Sequence, residues 1–293
     1  MKVITMSFNK SRAPSITGFL NSLYKKFLLI KLYSKYCDHL KDKLNIVMIL
    51  LLDIIPRRIR QTQKLIIKIK NVLISKIIME VNGMKYFLAD LESILILSSG
   101  FEKWMWNYLK PKKGEVFIDV GAHIGKYALQ VAKIVGENGL VIAIEASPIN
   151  YNVLLKNCRL NNIRNVIALN IAAWKSNGEL KLFIGDVGGH HSVKLNFGLG
   201  FIKVSAKALD NVLKELHINR VDWIKIDVEG AEYEVLEGLK STIQQYKPTL
   251  IIEVLKENLE KVTKFMNESN YMVRLIPNTV YDNPLYIYCK PGN

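Results

Sequence analysis

Asp119, Gly121, Gly125 and Glu145 are the residues whose types and spacing first suggest chemistry. The stretch FIDVGAHIGKYA (117–128) reads as an apolar strand ending at Asp119, a tight turn carrying Gly121, and a helix opened by Gly125. Glycine at 121 lets backbone approach a ligand closely, and glycine at 125 lets the helix pack near the strand. Twenty residues after Gly125, the next strand delivers Glu145 at its C-terminal end. A carboxylate there can accept hydrogen bonds from both hydroxyls of a ribose. Strand, glycine turn, helix, strand and acid in this order make a nucleoside-binding unit. A bare packing turn would use the glycines but has no need of Glu145.

The position two after Gly121 is His123, where a dinucleotide fingerprint needs the glycine that admits a pyrophosphate. Asp119 argues the same way, because a carboxylate suits an amino group better than a phosphate. S-adenosylmethionine carries an amino-acid end and a ribose and has no phosphate, so it is the expected cofactor. Asn170 and Ala172, at the end of the third strand, fall near the adenine by position.

A second cluster lies in DWIKIDVEGAEYEVLEGL (222–239), where a strand ends in Asp227, Glu229 and Glu232 around Gly230. Carboxylates there can serve as general base, hold a substrate hydroxyl or bind a divalent cation. Glutamates opening a helix also complement its dipole, which is the structural reading of Glu229 and Glu232. Glu253 ends the following strand, so Asp227 and Glu253 can share a metal or frame a pocket; a structural carboxylate is the other reading of Glu253. Whether a metal is needed stays open. His190 and His191 sit in a glycine-rich detour (175–210) that can close over the strand ends, with one imidazole taking a proton. A surface loop with incidental histidines is the alternative. Trp104, Trp106 and Tyr108 can form a sugar-stacking platform or pack as core at a sheet edge.

The elements that must position these residues alternate. Strands are expected at 115–120, 140–146, 166–172, 222–228 and 248–254, and helices at 125–135, 148–160, 230–245 and 257–269. A parallel sheet covered on both faces follows. The stretches 271–276 and 284–289 read as a closing antiparallel hairpin. Upstream, IIMEVNGMKYFLA (77–89) alternates around Asn82-Gly83, a favoured two-residue hairpin turn. One or two short helices over 91–109 follow it.

In combination and order, VFIDVGAHIGKYALQVA, IEASPINYNVLLKN, NIAAW, ALDNVL, WIKIDVEGAEYEVLEGL and IIEV resemble the FkbM-type methyltransferases. The resemblance covers about 77–293. It implies a Rossmann-like class I α/β fold with a mostly parallel sheet, and S-adenosylmethionine-dependent methylation, mostly of sugar or polyketide oxygens. It also implies that Asp119, Gly121, Gly125 and Glu145 line the cofactor and that Asp227 and Glu229 lie in the active site. His123 stands where the family usually has asparagine; both can donate a hydrogen bond.

The chain has 293 residues, a formal charge of +15 and 49% hydrophobic residues, an ordinary globular composition. The charge is uneven. Residues 1–80 hold 16 Lys+Arg and 4 Asp+Glu, a net +12, and the remainder is only +3. This distribution argues against wrapping nucleic acid over the whole surface and leaves an electrostatic contact by one end, with anionic lipid, RNA, DNA or an acidic protein. The strand carrying Asp227 lacks the Asn/Asp-Pro-Pro-aromatic signature of many amino-methylating nucleic-acid enzymes. Residues 1–76 read as a basic helical extension, with helical spacing over Ser22–Leu40 and an apolar run, LNIVMILLLDII (44–55), too short to span a bilayer. Peripheral contact with an anionic membrane is one use of it; packing on residues 77–293 or self-association is the other. Cys37, Cys158 and Cys289 lie far apart, which excludes a disulfide framework and a cysteine zinc site. With no signal-like run in the first 20 residues, a cytoplasmic protein is expected, held peripherally at most at the membrane's inner face. The leading function is methylation of a small molecule or glycan. The alternatives are an adaptor at a membrane or complex that kept the fold and lost the chemistry and, ranked below it, a nucleic-acid methyltransferase that holds phosphates with the basic end.

Overall fold

A computed structural model describes residues 30–31, 39–52, 60–98, 100–185, 191–277 and 284–292. The chain divides between Leu73 and Ile74 into two units. In the first, α1 (Leu40–Leu52) buries Asp42, Ile46, Ile49 and Leu50, the spacing of one helix face. Next, α2 spans Arg60–Ile74. The helix expected over Ser22–Leu40 lies outside the described residues except at Ile30–Lys31 and its last two positions. No described helix is long and apolar enough to cross a membrane.

The second unit opens with a hairpin, β1 (Ile78–Val81) and β2 (Met84–Phe87). Asn82 (φ 53°) and Gly83 (φ 71°) both take the left-handed backbone that a type I′ turn demands. Then follow α3 (Glu92–Leu97), α4 (Met105–Tyr108), β3 (Val116–Val120), α5 (Lys126–Val135), β4 (Leu140–Ile144), α6 (Pro148–Leu160) and β5 (Val166–Leu169). The detour comprises β6 (Ala172–Ala173), β7 (Gly178–Phe183), β8 (Phe201–Lys207) and α7 (Leu209–Glu215). The chain closes with β9 (Trp223–Ile226), α8 (Glu232–Glu237), α9 (Lys240–Tyr246), β10 (Thr249–Val254), α10 (Leu259–Glu268), β11 (Tyr271–Ile276) and β12 (Leu285–Pro291).

Seven strands form one sheet in the order β11-β12-β10-β9-β3-β4-β5. All pairs from β10 to β5 are parallel, and β12 enters antiparallel between β10 and β11. This is the expected α/β sheet with its C-terminal hairpin. Every residue of β9 is buried, as are the last four of β3 and β4, because parallel strands are covered on both faces. The order reverses beside β3, so the C-terminal ends of β3, β4 and β9 open on one crevice, the switch point where such sheets bind ligands.

Two expected elements are interrupted. The strand expected over 166–172 leaves the main sheet after Leu169, and Ala172–Ala173 pairs instead with β8 in a separate three-stranded sheet, β6-β8-β7. The helix expected over 230–245 is two helices. A Cβ on Gly238 would lie 2.1 Å from the Trp174 carbonyl oxygen, so α8 ends against that backbone. Asp210 then caps α9 from a distance, accepting from Ser241 N (2.8 Å), Thr242 N (2.9 Å) and Thr242 Oγ1 (2.6 Å).

Candidate active site

Asp119 lies one residue from the end of β3, 1% exposed, between Ala143 on β4 and Lys225 on β9. Neither carboxylate oxygen has a hydrogen-bond partner of good geometry among the described residues; the Ala128 amide is near enough to favour the charged form slightly. Burial lifts its pKa to about 6 against the pull of Lys225. A buried carboxylate with both oxygens unmatched needs an explanation, and a cationic ligand group is one.

Gly121 (φ +84°) follows at once. A Cβ there would sit 1.7 Å from the Asp227 carbonyl oxygen. The glycine is therefore required by the close approach of the two strand ends, a reason beyond the access to ligand expected from its position. Gly125 (φ +94°) answers to helix packing, since a Cβ would meet Leu129 at 2.4 Å and Leu154 of α6 at 2.6 Å. Between them His123 is also left-handed (φ 51°). Burial pushes its imidazole down to about 4, and Nε2 has no partner among the described residues.

Glu145 directly follows the last residue of β4, at the strand's C-terminal end as expected. Its carboxylate accepts from His123 N (2.7 Å) and Ser147 N (2.8 Å), which ties β4 to the glycine turn. Burial nevertheless raises it to about 7. A carboxylate offers about four acceptor positions, so capacity is left for hydroxyls. The Asn170 amide donates to the carbonyls of Glu145 (2.8 Å) and Ala146 (3.0 Å), so it holds the β4 end in place. Ala172 is different: its methyl packs with Leu182, Val204 and Ala206 in the core of the small sheet. The structure does not bring Ala172 into the cofactor set.

The raised carboxylates carry a signed consequence. Both groups titrate near pH 4 when unfolded. Between about pH 4 and 7 the ligand-free folded state binds more protons than the unfolded one, so stability falls as pH rises through that window. Thermal melts of wild type and the double variant Asp119→Asn/Glu145→Gln should converge at acid pH and separate toward pH 7.5, the variant declining less. Parallel curves would contradict the burial argument.

On β9 and after it, Asp227 pairs through Oδ2 with Lys225 Nζ at 2.8 Å, their side chains 27% and 3% exposed. One oxygen each of Asp227, Glu229 and Glu253 lie within 4.8 Å of one another, so the two weak metal candidates do come together, with Glu229 added. Glu229 is left-handed (φ 53°), and its carbonyl accepts from the buried Ser192 hydroxyl at 2.6 Å. Ser192 Oγ also accepts from the amides of Lys194 (3.0 Å) and Leu195 (2.9 Å), which fastens the detour loop to the backbone at Glu229. His191 Nδ1 accepts from Gly185 N at 3.0 Å, which leaves the proton of a neutral ring on Nε2. His190 lies outside the described residues.

Several polar residues of this cluster escaped the sequence reading. Glu102 Oε2 accepts from Lys126 Nζ (3.0 Å) and Tyr127 Oη (2.7 Å). The Tyr286 hydroxyl lies 2.7 Å from Glu102 Oε1 and 2.5 Å from Glu253 Oε2. One phenol has one proton and cannot donate to both. Burial disfavours the charge on Glu102, but Lys126 and Lys225 overcome it and hold its pKa low. Burial, with Asp227 and Glu102 nearby, holds Glu253 well above the carboxylate range. Tyr286 therefore donates to ionised Glu102 and receives from a neutral Glu253. Burial opposes the charge on Lys225, but Asp227, Asp119 and Glu102 keep it firmly cationic. Lys225 had a signal, a cation inside a strand otherwise buried on both faces; Glu102 and Tyr286 had none. The aromatic group packs: Trp104 meets Tyr286 edge-on at 4.6 Å, Trp106 meets Tyr127, and Tyr108 meets Tyr288.

Residues 119–273 match the family model described as "Methyltransferase FkbM domain". The chain belongs to the FkbM methyltransferase family. By class it is an S-adenosylmethionine-dependent methyltransferase. Methyltransferase sdnD of Sordaria araneosa is 26% identical over 210 residues, covering 60% of this chain and 80% of that protein. Hexuronic acid methyltransferase AglP of Haloferax volcanii is 23% identical over 158 residues, covering 54% of this chain and 64% of that protein. Among solved structures, methyltransferase FkbM from Methylobacillus flagellatus is 14% identical with a TM-score of 0.49, covering 92% of this chain and 60% of that one. The family match and the sheet order agree on the region that carries Asp119, Glu145 and Asp227.

Proposed function

We propose that the chain methylates a hydroxyl of a sugar or related small metabolite, with Asp227 receiving or orienting the acceptor proton. The observation that carries this reading is the pairing of an unmatched, buried Asp119 carboxylate with a partly exposed Asp227 one strand away. Asp119 fits the amino group of S-adenosylmethionine, and Glu145, held by His123 N and Ser147 N, fits the ribose hydroxyls. Asn170 supports that end by fixing the Glu145 and Ala146 carbonyls. When bound, the cofactor supplies an electrophilic methyl group on a sulfonium. What the protein must add is alignment of an oxygen and assistance with its proton. Lys225 keeps the Asp227 carboxylate in place from below, and Ser192 fastens the detour to the backbone at Glu229. His191, on that detour, is the remaining candidate for proton transfer, and His190 beside it in the chain shares that proposed role.

The relative named for hexuronic acid points to sugar acceptors first. The test is transfer of labelled methyl from S-adenosylmethionine to panels of uronic acids, neutral sugars and polyketide alcohols. Label on an acceptor oxygen in wild type, lost in the Asp227 variant, is the expected result. Label found on nitrogen or carbon would overturn the assignment, and binding of cofactor without turnover on any panel would favour an adaptor.

A further inference from the structure

We propose that the outer face of α1 is a docking face for an anionic lipid surface. Leu40, Leu44, Met48 and Leu51 are 72%, 55%, 49% and 51% exposed. Their spacing of four, four and three residues puts them in one stripe along the helix. The opposite face, carrying Ile46, Ile49 and Leu50, is buried, so α1 is apolar on both sides and one side stands exposed among the described residues. At 100° per residue, Lys41 lies about 65° to one side of the stripe and Lys43 about 95° to the other. That is the layout of an in-plane helix, with apolar residues reaching into the acyl boundary and lysine stems extending to the headgroups. Thirteen residues rise about 20 Å, short of the ~30 Å hydrocarbon thickness.

Charge selects the occupant. Residues 1–80 carry a net +12. A second copy would bring the same charge against itself, whereas anionic headgroups attract it. Nucleic acid would satisfy the lysines but offers phosphates to a stripe of leucine and methionine. A lipid surface, anionic outside and apolar beneath, satisfies both features.

The test uses the full chain with vesicles of phosphatidylcholine, with and without about 30% phosphatidylglycerol. Wild type should float with the anionic vesicles at least about ten-fold better than with the neutral ones, and less as salt rises. Leu44→Asp/Met48→Asp should lower recovery about ten-fold. The same change at exposed Leu275 should leave recovery unaltered. Lys41→Glu/Lys43→Glu should weaken only the anionic preference. Matching thermal melts confirm that the stripe variant is folded; should it not be, Leu44→Ser/Met48→Ser replaces it in the comparison. Equal flotation of stripe variant and wild type overturns the proposal, as does equal recovery on neutral and anionic vesicles. If the stripe variant turns an oligomer into a monomer in sedimentation velocity with vesicle recovery unchanged, the face joins copies of this chain and the lipid proposal fails.

Discussion

Asp227→Asn should lower methyl transfer by about 10²–10⁴-fold in kcat while S-adenosylmethionine affinity stays within a few-fold. The residue sits between the two halves of the site. Its main chain is bonded to β3 through Val120 O (2.9 Å), and its side chain is the partly exposed end of the Lys225 pair. Asparagine keeps the volume and can still accept at Oδ1, so the strand ends should hold. What it cannot do is receive a proton. Alanine is the worse probe, because it strands a buried lysine, and removing one member of a buried pair costs about 3–5 kcal/mol. Asp119 and Glu102 near Lys225 soften that cost without cancelling it. A single-turnover measurement with saturating cofactor separates the effects. Loss in the chemical step with an unchanged cofactor titration is the expected pattern, and wild-type turnover would remove Asp227 from the mechanism.

Gly121→Ala should be nearly as damaging, and through the fold. Its added methyl would sit 1.7 Å from the Asp227 carbonyl oxygen, with φ at +84°. That neighbour is backbone just past β9, whose own amide donates to Val120 O, so it cannot swing away as a side chain would. Overpacking and a left-handed alanine together should cost about 3 kcal/mol or more, a fall in Tm of at least about 6 °C for a domain of this size. Cofactor affinity should drop with it, because β3 and β9 would be prised apart where Asp119 lies. Gly125→Ala provides a contrast: its methyl meets Leu129 and Leu154 side chains, which can shift. Thermal melts that rank Gly125→Ala as the more damaging change would show that the β3–β9 approach is looser than these distances require.

The sheet was legible because each parallel strand is a short apolar run punctuated by glycine or an acid, and each following helix has its own period. The hairpin at Asn82-Gly83 was legible for a similar reason, the two residues being chosen for positive φ. Local pattern failed where distant contacts decide. Nothing around Gly238 announces that the Trp174 carbonyl will press on it, or that Asp210 will cap a helix thirty residues on. The strand through 166–172 looked continuous because alternation does not reveal a change of sheet at Asn170. The site divided in the same way. Asp119, Glu145 and Asp227 could be read because each lies within one residue of a strand's C-terminal end at the crevice. Glu102 and Tyr286 could not, because Tyr286, on the last strand, joins Glu253 to a Glu102 that lies far away in the chain, ahead of β3. Their hydrogen-bond chain is a property of three-dimensional packing alone.

The β3–β4 crevice is proposed to hold S-adenosylmethionine through Asp119 and Glu145. Calorimetric titration of the full chain with S-adenosylmethionine, repeated for Glu145→Ala, tests it most directly. A one-to-one isotherm in wild type, weakened at least about ten-fold in the variant by the loss of charged hydrogen bonds, is the predicted result. No binding heat in wild type at several temperatures, or equal affinity in both proteins, would contradict it.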